Sequence, residues 1–159
     1  YDMHRVAPKI WQGSFPEAGS GLKRLGFDVL VLCAQELQPP AWTYPGIVVV
    51  RAPMDDIAGQ SALKHCNVAV YASAYVARLH RNGARVLVTC AAGRNRSGLV
   101  TALTLQRLGW KPDASVHAVR TARKNALTNS AFEHFALQGR RLIDEATAIN
   151  SGAIPVERA

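Results

Sequence analysis

The chain has 159 residues, enough for one domain with a full core, and 48% of them are hydrophobic, which excludes an intrinsically disordered segment. No run of about 18 uninterrupted apolar residues occurs, so no membrane-spanning helix is expected, and three cysteines, an odd number, do not make a disulfide scaffold. A net charge of +8 favours anionic partners: phosphoesters, phosphorylated proteins, anionic lipids or nucleic acid.

Residues 10–15 read as a first short strand closed by Pro16, and 20–25 as a short helix that Gly26 ends. Continuous apolar runs at 29–32 and 47–50 suit strands covered on both faces, with Pro39-Pro40 and Pro45-Gly46 marking the loop between them. A long helix is expected over 61–82, where Val68, Tyr71, Ala72, Tyr75, Val76 and Leu79 recur at helical spacing before a stop at Gly83. Val86-Leu87-Val88 is a short central strand. Helices follow over 97–108, ended by Gly109, and over 112–124, opened by Pro112-Asp113. A last helix is expected over 130–148, where Ser130-Ala131-Phe132-Glu133 has the form of a capping box. Residues 151–159 read as a frayed tail. Strands alternating with helices imply an α/β fold: a single domain over 1–150 with a central, mostly parallel sheet of about five strands flanked by helices. Its site is expected at the carboxyl ends of the strands.

The most informative segment is Cys90-Ala91-Ala92-Gly93-Arg94-Asn95-Arg96-Ser97, a Cys-x5-Arg-Ser pattern between the central strand and the helix at 97–108. The backbone N–H groups of 91–96 can form a concave anion nest, and the positive end of the following helix adds to it. Gly93 is free to take a conformation closed to residues with a Cβ. Arg96 offers a planar fork that matches two phosphate oxygens. The same positive field favours the thiolate, the nucleophilic form of Cys90. Ser97 can donate a hydrogen bond to the sulfur as it leaves. Cys90, Arg96 and Ser97 are therefore expected catalytic residues, and Ala91, Ala92, Gly93, Arg94, Asn95 and Arg96 expected phosphate-binding residues. Cys33 and Cys66 lack the pattern, since Pro39 and Ala72 stand six positions after them.

The chemistry expected is removal of a phosphate group through a covalent cysteine intermediate, with no cofactor. No Cys-x2-Cys or His-x3-His pattern implies a metal site. Expelling the leaving group needs a proton donor, and Asp55 and Asp56, 35 and 34 residues before Cys90, are the candidates. The five histidines are scattered, and they and Trp11, Trp42 and Trp110 are read as structural residues. Nucleic-acid binding rests on charge alone, because no basic run is interleaved with aromatics.

These segments resemble the cysteine-dependent protein tyrosine phosphatase superfamily, in particular its dual-specificity branch. Val6-Ala7-Pro8-Lys9-Ile10-Trp11-Gln12-Gly13-Ser14 resembles the family's opening strand, and Ala52-Pro53-Met54-Asp55-Asp56 its general-acid loop. The stretch from Val86 to Gly98 resembles its signature loop, and Leu127-Thr128-Asn129-Ser130-Ala131-Phe132 a later segment in which an asparagine supports that loop. The resemblance implies the phosphotyrosine phosphatase-like fold, Asp56 rather than Asp55 as the acid, and Asn129 as a support. It also implies protein substrates bearing phosphotyrosine, phosphoserine or phosphothreonine, which the short segment between the opening strand and the acid loop admits to a shallow pocket.

The chain departs from the family at Thr89, where a histidine usually helps to hold the cysteine ionised; a threonine hydroxyl could support local hydrogen bonds instead. That departure motivates a rival reading, a phosphate-binding module without turnover. Family members acting on inositol lipids or RNA 5′-triphosphate ends carry loops resembling Gly93-Arg94-Asn95-Arg96, so a polyphosphorylated non-protein substrate is the second enzymatic reading. Arg120, Arg123 and Lys124 are read as a solvated helix face that could extend the positive field. No signal peptide is visible and a working thiolate suits a reducing compartment, so a cytoplasmic location is expected.

Overall fold

The computed structural model describes residues 1–56, 63–149 and 156–158. Its centre is strand β3, Val29–Ala34, flanked by β5, Val86–Thr89, and β4, Val48–Met54. Every residue of β3 and β5 is buried, and their side chains alternate between two cores. Val29, Val31, Cys33, Val86 and Val88 enter one hydrophobic cluster. Leu30, Leu32 and Leu87 enter the other. Period-two alternation of bulky apolar residues thus buries the sheet on both faces.

With β1 at Met3–Ala7, β2 at Ile10–Gly13 and β6 at Val156–Arg158, the strand order is β1-β2-β5-β3-β4-β6. The pairs β2–β5, β5–β3 and β3–β4 are parallel, and the edge strands β1 and β6 are antiparallel to their neighbours. Register places Gly13 and Leu32 beside Thr89, so β2 and β5 end in line while β3 continues to Ala34. Ser14, Cys33 and Cys90 come next after this row at one edge of the sheet.

Helix α1, Gly21–Arg24, contributes Leu22 to one face, together with Phe27, Tyr44 and Ile47. The other face is covered by α2, Leu63–Arg81, α3, Arg96–Arg107, α4, Pro112–Ala122, α5, Ser130–Leu137, and α6, Gly139–Ile149. Helix α3 is central: every residue from Arg96 to Gln106 is buried. On α2 the buried face includes Ala69, Val70, Ala72, Ser73, Val76 and Ala77, while Tyr71 and Tyr75 lie half-buried at its margin. Small residues let the helices approach, and Arg107 of α3 binds Ser73 Oγ at 2.9 Å and the Val70 carbonyl at 2.8 Å. Among the described residues, no helix is long and apolar enough to cross a membrane.

Several local expectations are corrected. The opening segment is a hairpin, turned at Lys9 with φ 63°, and its first strand, Met3–Ala7, precedes the strand expected at 10–15. Strand β4 runs on to Met54, past the apolar run at 47–50. The final helix is two helices, divided just before Gly139, where an added Cβ would stand 2.2 Å from Gln106 Oε1. That glycine lets the chain close on Gln106, which donates to the Ala136 carbonyl at 2.8 Å and to Ser115 Oγ at 3.0 Å. Asn129, not Ser130, caps α5, accepting from the Ala131 N–H at 3.0 Å. The segment read as a frayed tail contains β6, which pairs with β4. Trp42 is exposed rather than packed, whereas Trp11 stacks edge-on against Phe27.

Candidate active site

The loop from Cys90 to Arg96 joins β5 to α3, and its peptide planes share one orientation. The carbonyl of Ala91 accepts from the Phe15 N–H at 3.3 Å, and that of Arg94 from the Leu127 N–H at 3.2 Å. Arg123 donates to the Ala92 carbonyl at 3.0 Å and to the Gly93 carbonyl at 2.7 Å, and Gln12 also binds the latter at 3.1 Å. In a trans peptide the carbonyl and the next N–H point oppositely. Carbonyls drawn outward therefore turn the N–H groups of 92–95 inward. Among the described residues, these four N–H groups find no acceptor in the protein. They form a concave nest at the N-terminus of α3, an arrangement that attracts an anion. Gly93, at φ +70°, makes the turn, and a Cβ there would lie 2.4 Å from the Gly13 carbonyl carbon.

Cys90 sits at the mouth of this nest with its Sγ 3.2 Å from Ser97 Oγ, and both residues are buried. Beneath it Cys33 is fully buried, and burial first, then the neighbouring Cys90, pushes its thiol well above its ordinary pKa. Cys33 therefore stays protonated. Cys66 falls where side chains are not described.

Arg96 is buried to 5% exposure. Its Nη1 and Nη2 grip the Glu36 carboxylate at 2.6 and 3.0 Å, and Nη1 also meets the Met54 carbonyl at 3.0 Å. Burial opposes its charge, but Glu36, Cys90 and Asp56 outweigh that and hold the guanidinium above its ordinary pKa. Glu36 is correspondingly held below the usual carboxylate range by Arg96 and by its own backbone N–H. These bonds use three of the five N–H donors of a guanidinium, leaving one on Nη2 and the one on Nε, which is buried without a partner. An unpaired buried donor is costly, and an anion in the nest would answer it.

Asp56 follows β4 on an exposed segment. Its carboxylate receives Asn95 Nδ2 at 3.1 Å on one oxygen and Asn129 Nδ2 at 2.9 Å on the other. Asn129 also donates its backbone N–H to Asn95 Oδ1 at 2.9 Å. Asp55, half-buried beside it, makes neither contact. Thr89 directs its hydroxyl into the sheet, to the Val31 carbonyl at 2.9 Å, and not to the loop. Arg94 is exposed and, with Lys124, His4, Asp2 and Arg123, lines a cavity of about 430 Å³ beside the loop.

Four residues that hold this arrangement are not among the expected site residues: Gln12, Glu36, Arg123 and Asp2. Arg123 is the largest correction. It is buried to 7% exposure, not solvated, and besides the loop it binds both oxygens of Asp2 at 3.1 and 3.0 Å. Arg120 is likewise engaged, with the Leu127 carbonyl at 2.8 Å and with Glu133.

Residues 10–139 match the model of the dual specificity phosphatase catalytic domain. Dual specificity phosphatase 28 of Mus musculus is 31% identical over 131 residues, covering 80% of this chain and 77% of that protein. A crystal structure of a mouse dual specificity phosphatase complexed with zinc tungstate superposes with a TM-score of 0.75 at 28% identity, covering 91% of this chain and 90% of that one. Human DUSP28 gives a TM-score of 0.74 at 27% identity over 91% of this chain and 96% of that one. PTPMT1, solved in complex with PI(5)P, shares the fold, with a TM-score of 0.71 at 18% identity over 91% of this chain and 98% of that one. A single α/β domain of the same architecture, spanning most of the chain, thus recurs in sequence and in structure, and the chain belongs to the dual specificity phosphatase family.

Proposed function

We propose that the protein hydrolyses phosphate monoesters on phosphotyrosine, phosphoserine and phosphothreonine through a cysteinyl-phosphate intermediate. The thiolate of Cys90 forms a bond to phosphorus as the ester P–O bond breaks, and Asp56 gives its proton to the departing oxygen. The inward N–H groups and Arg96 hold the three equatorial oxygens as charge builds on them. Water then attacks phosphorus and loses its proton to Asp56. The P–S bond breaks, the thiolate returns with a hydrogen bond from Ser97, and inorganic phosphate leaves.

The observation that carries this reading is the set of carbonyls at 91–94 bonded away from the loop, which leaves N–H groups 92–95 facing the opposite way without an acceptor among the described residues. Tungstate, found with the mouse relative, is a tetrahedral oxyanion of phosphate's shape. The test is turnover of an aryl phosphate by purified protein beside Cys90→Ser and Asp56→Asn. Turnover by wild type, a phosphorylated Cys90 trapped by acid quenching, and an inert serine variant are expected. A serine variant as fast as wild type would overturn the mechanism. Wild type that binds phosphate without turnover would leave the module reading in its place.

The second enzymatic reading, a polyphosphorylated substrate, draws on the cationic cavity that Arg94 and Lys124 share beside the loop. Arg94→Ala should then impair turnover of an inositol phospholipid or a triphosphate-ended RNA more than that of a phosphopeptide. Equal loss on all three would remove its support.

A further inference from the structure

Asn95 is the N-cap of α3, where an asparagine side chain ordinarily accepts from a backbone N–H of the first turn. It makes no such capping bond. Its Oδ1 instead accepts from the Asn129 N–H, 34 residues away, at 2.9 Å. That bond fixes which way the amide faces, leaving Nδ2 for Asp56 Oδ2 at 3.1 Å. Asn129 is oriented by the same logic: Oδ1 accepts from the Ala131 N–H at 3.0 Å, and Nδ2 is left for Asp56 Oδ1 at 2.9 Å. Two backbone donors thus aim two side-chain NH2 groups at the two oxygens of one carboxylate. Asn95 is buried, while Asp56 sits on an exposed segment.

Resting on the reading of Asp56 as general acid, we propose that Asn95 is a positioning residue that ties the acid to the phosphate loop, with Asn129 closing the clamp. The loop that would hold the phosphate and the carboxylate that must reach its leaving oxygen are joined through one side chain. Their separation is then set before substrate arrives, and such preorganisation is worth orders of magnitude in rate. Its effect depends on the leaving group. An acidic phenol departs without a proton, whereas a basic phenol or an alcohol needs one.

The experiment measures kcat/KM on aryl phosphates whose phenols span acidic to basic, for wild type, Asn95→Ala, Asn95→Ser and Asp56→Asn. The serine is too short to reach Asp56 and guards against misfolding of the alanine variant. Wild type should depend little on phenol pKa and Asp56→Asn steeply. Both Asn95 variants should steepen the dependence, losing about 10-fold or more on the most basic phenol relative to the most acidic. An equal loss across the series, or none, would overturn the proposal while leaving Asp56 as the acid. A flat dependence in Asp56→Asn would overturn the acid assignment itself and the clamp with it.

Discussion

Replacing Arg123 by alanine removes one buried guanidinium that serves two carbonyls of the phosphate loop and both oxygens of Asp2. A hydrogen bond from a charged donor contributes about 1.5–3 kcal/mol net. The Ala92 carbonyl loses its donor, but the Gly93 carbonyl keeps Gln12 at 3.1 Å, so its loss is partial. Asp2 is 56% exposed, and a pair so screened adds about 0–1 kcal/mol. The expected destabilisation is therefore about 2–4 kcal/mol, or about 4–16 °C in melting temperature for a domain of this size. Urea unfolding at pH 7 should show a lower midpoint with an unchanged slope. The acid limb gives an independent check. Arg123 is the largest cause holding Asp2 below its ordinary 3.8, ahead of the opposing effect of burial. A depressed carboxylate pKa stabilises the fold above the unfolded value and loses that contribution as pH falls through the folded one. The gap between wild type and variant should accordingly narrow below about pH 4. With the Ala92 carbonyl released and the Gly93 carbonyl held by Gln12 alone, kcat/KM on an aryl phosphate should fall by about 10-fold or more, since small misplacements of reacting groups carry such costs. A loss below about 1 kcal/mol at pH 7, or a gap that widens on acidification, would refute the role assigned to this arginine.

Gly93→Ala should be the most damaging single substitution in the loop. Its φ of +70° strains any side chain, and the added Cβ would meet the backbone of Gly13 and Ser14 at 2.4–2.7 Å, which no rotamer can relieve. We expect about 3 kcal/mol or more in urea unfolding with near-complete loss of turnover; a variant within about 1 kcal/mol would show that the two segments part easily. Tyr44, whose hydroxyl donates to the Pro16 carbonyl at 2.9 Å, is pushed up to about 12, chiefly by burial and further by Tyr1. A raised pKa means that its contribution is complete below the unfolded value and is lost as pH rises through the folded one. In an alkaline ultraviolet titration, one of the four tyrosines should ionise last, near 12, and that step should vanish in Tyr44→Phe.

The loop between β5 and α3 was legible because it is local: nucleophile, nest, guanidinium and helix start lie within eight consecutive residues. The parallel core was legible for a similar reason, since runs such as Val29-Leu30-Val31-Leu32 suit only a strand buried on both faces. What holds the loop in shape was not legible. The Arg123–Asp2 pair spans 121 positions, the Gln12–Gly93 bond 81 and the Arg96–Glu36 pair 60. Each partner is an ordinary polar residue in its own surroundings. Arg123 ends a helix whose charged residues read as a solvated face, and only the proximity of the loop carbonyls and Asp2 makes burying it tolerable. The split of α5 from α6 did carry a local sign, Gly139, a poor helix former, but the closeness of Gln106 on another helix was not legible.

Thr89 is where the chain departs from the family pattern by one residue. Its hydroxyl serves the Val31 carbonyl within the sheet and makes no bond to the loop. The charge of a thiolate at Cys90 would instead be met by the N–H nest, the N-terminus of α3 and Arg96. All of these are held by partners outside the motif: Gln12 and Arg123 behind the loop, Glu36 and the Met54 carbonyl on Arg96. The residue types that announce a phosphate site are therefore contiguous, whereas the residues that give it a shape are contributed by four other segments. A chain could keep the motif and lose its function through any of them.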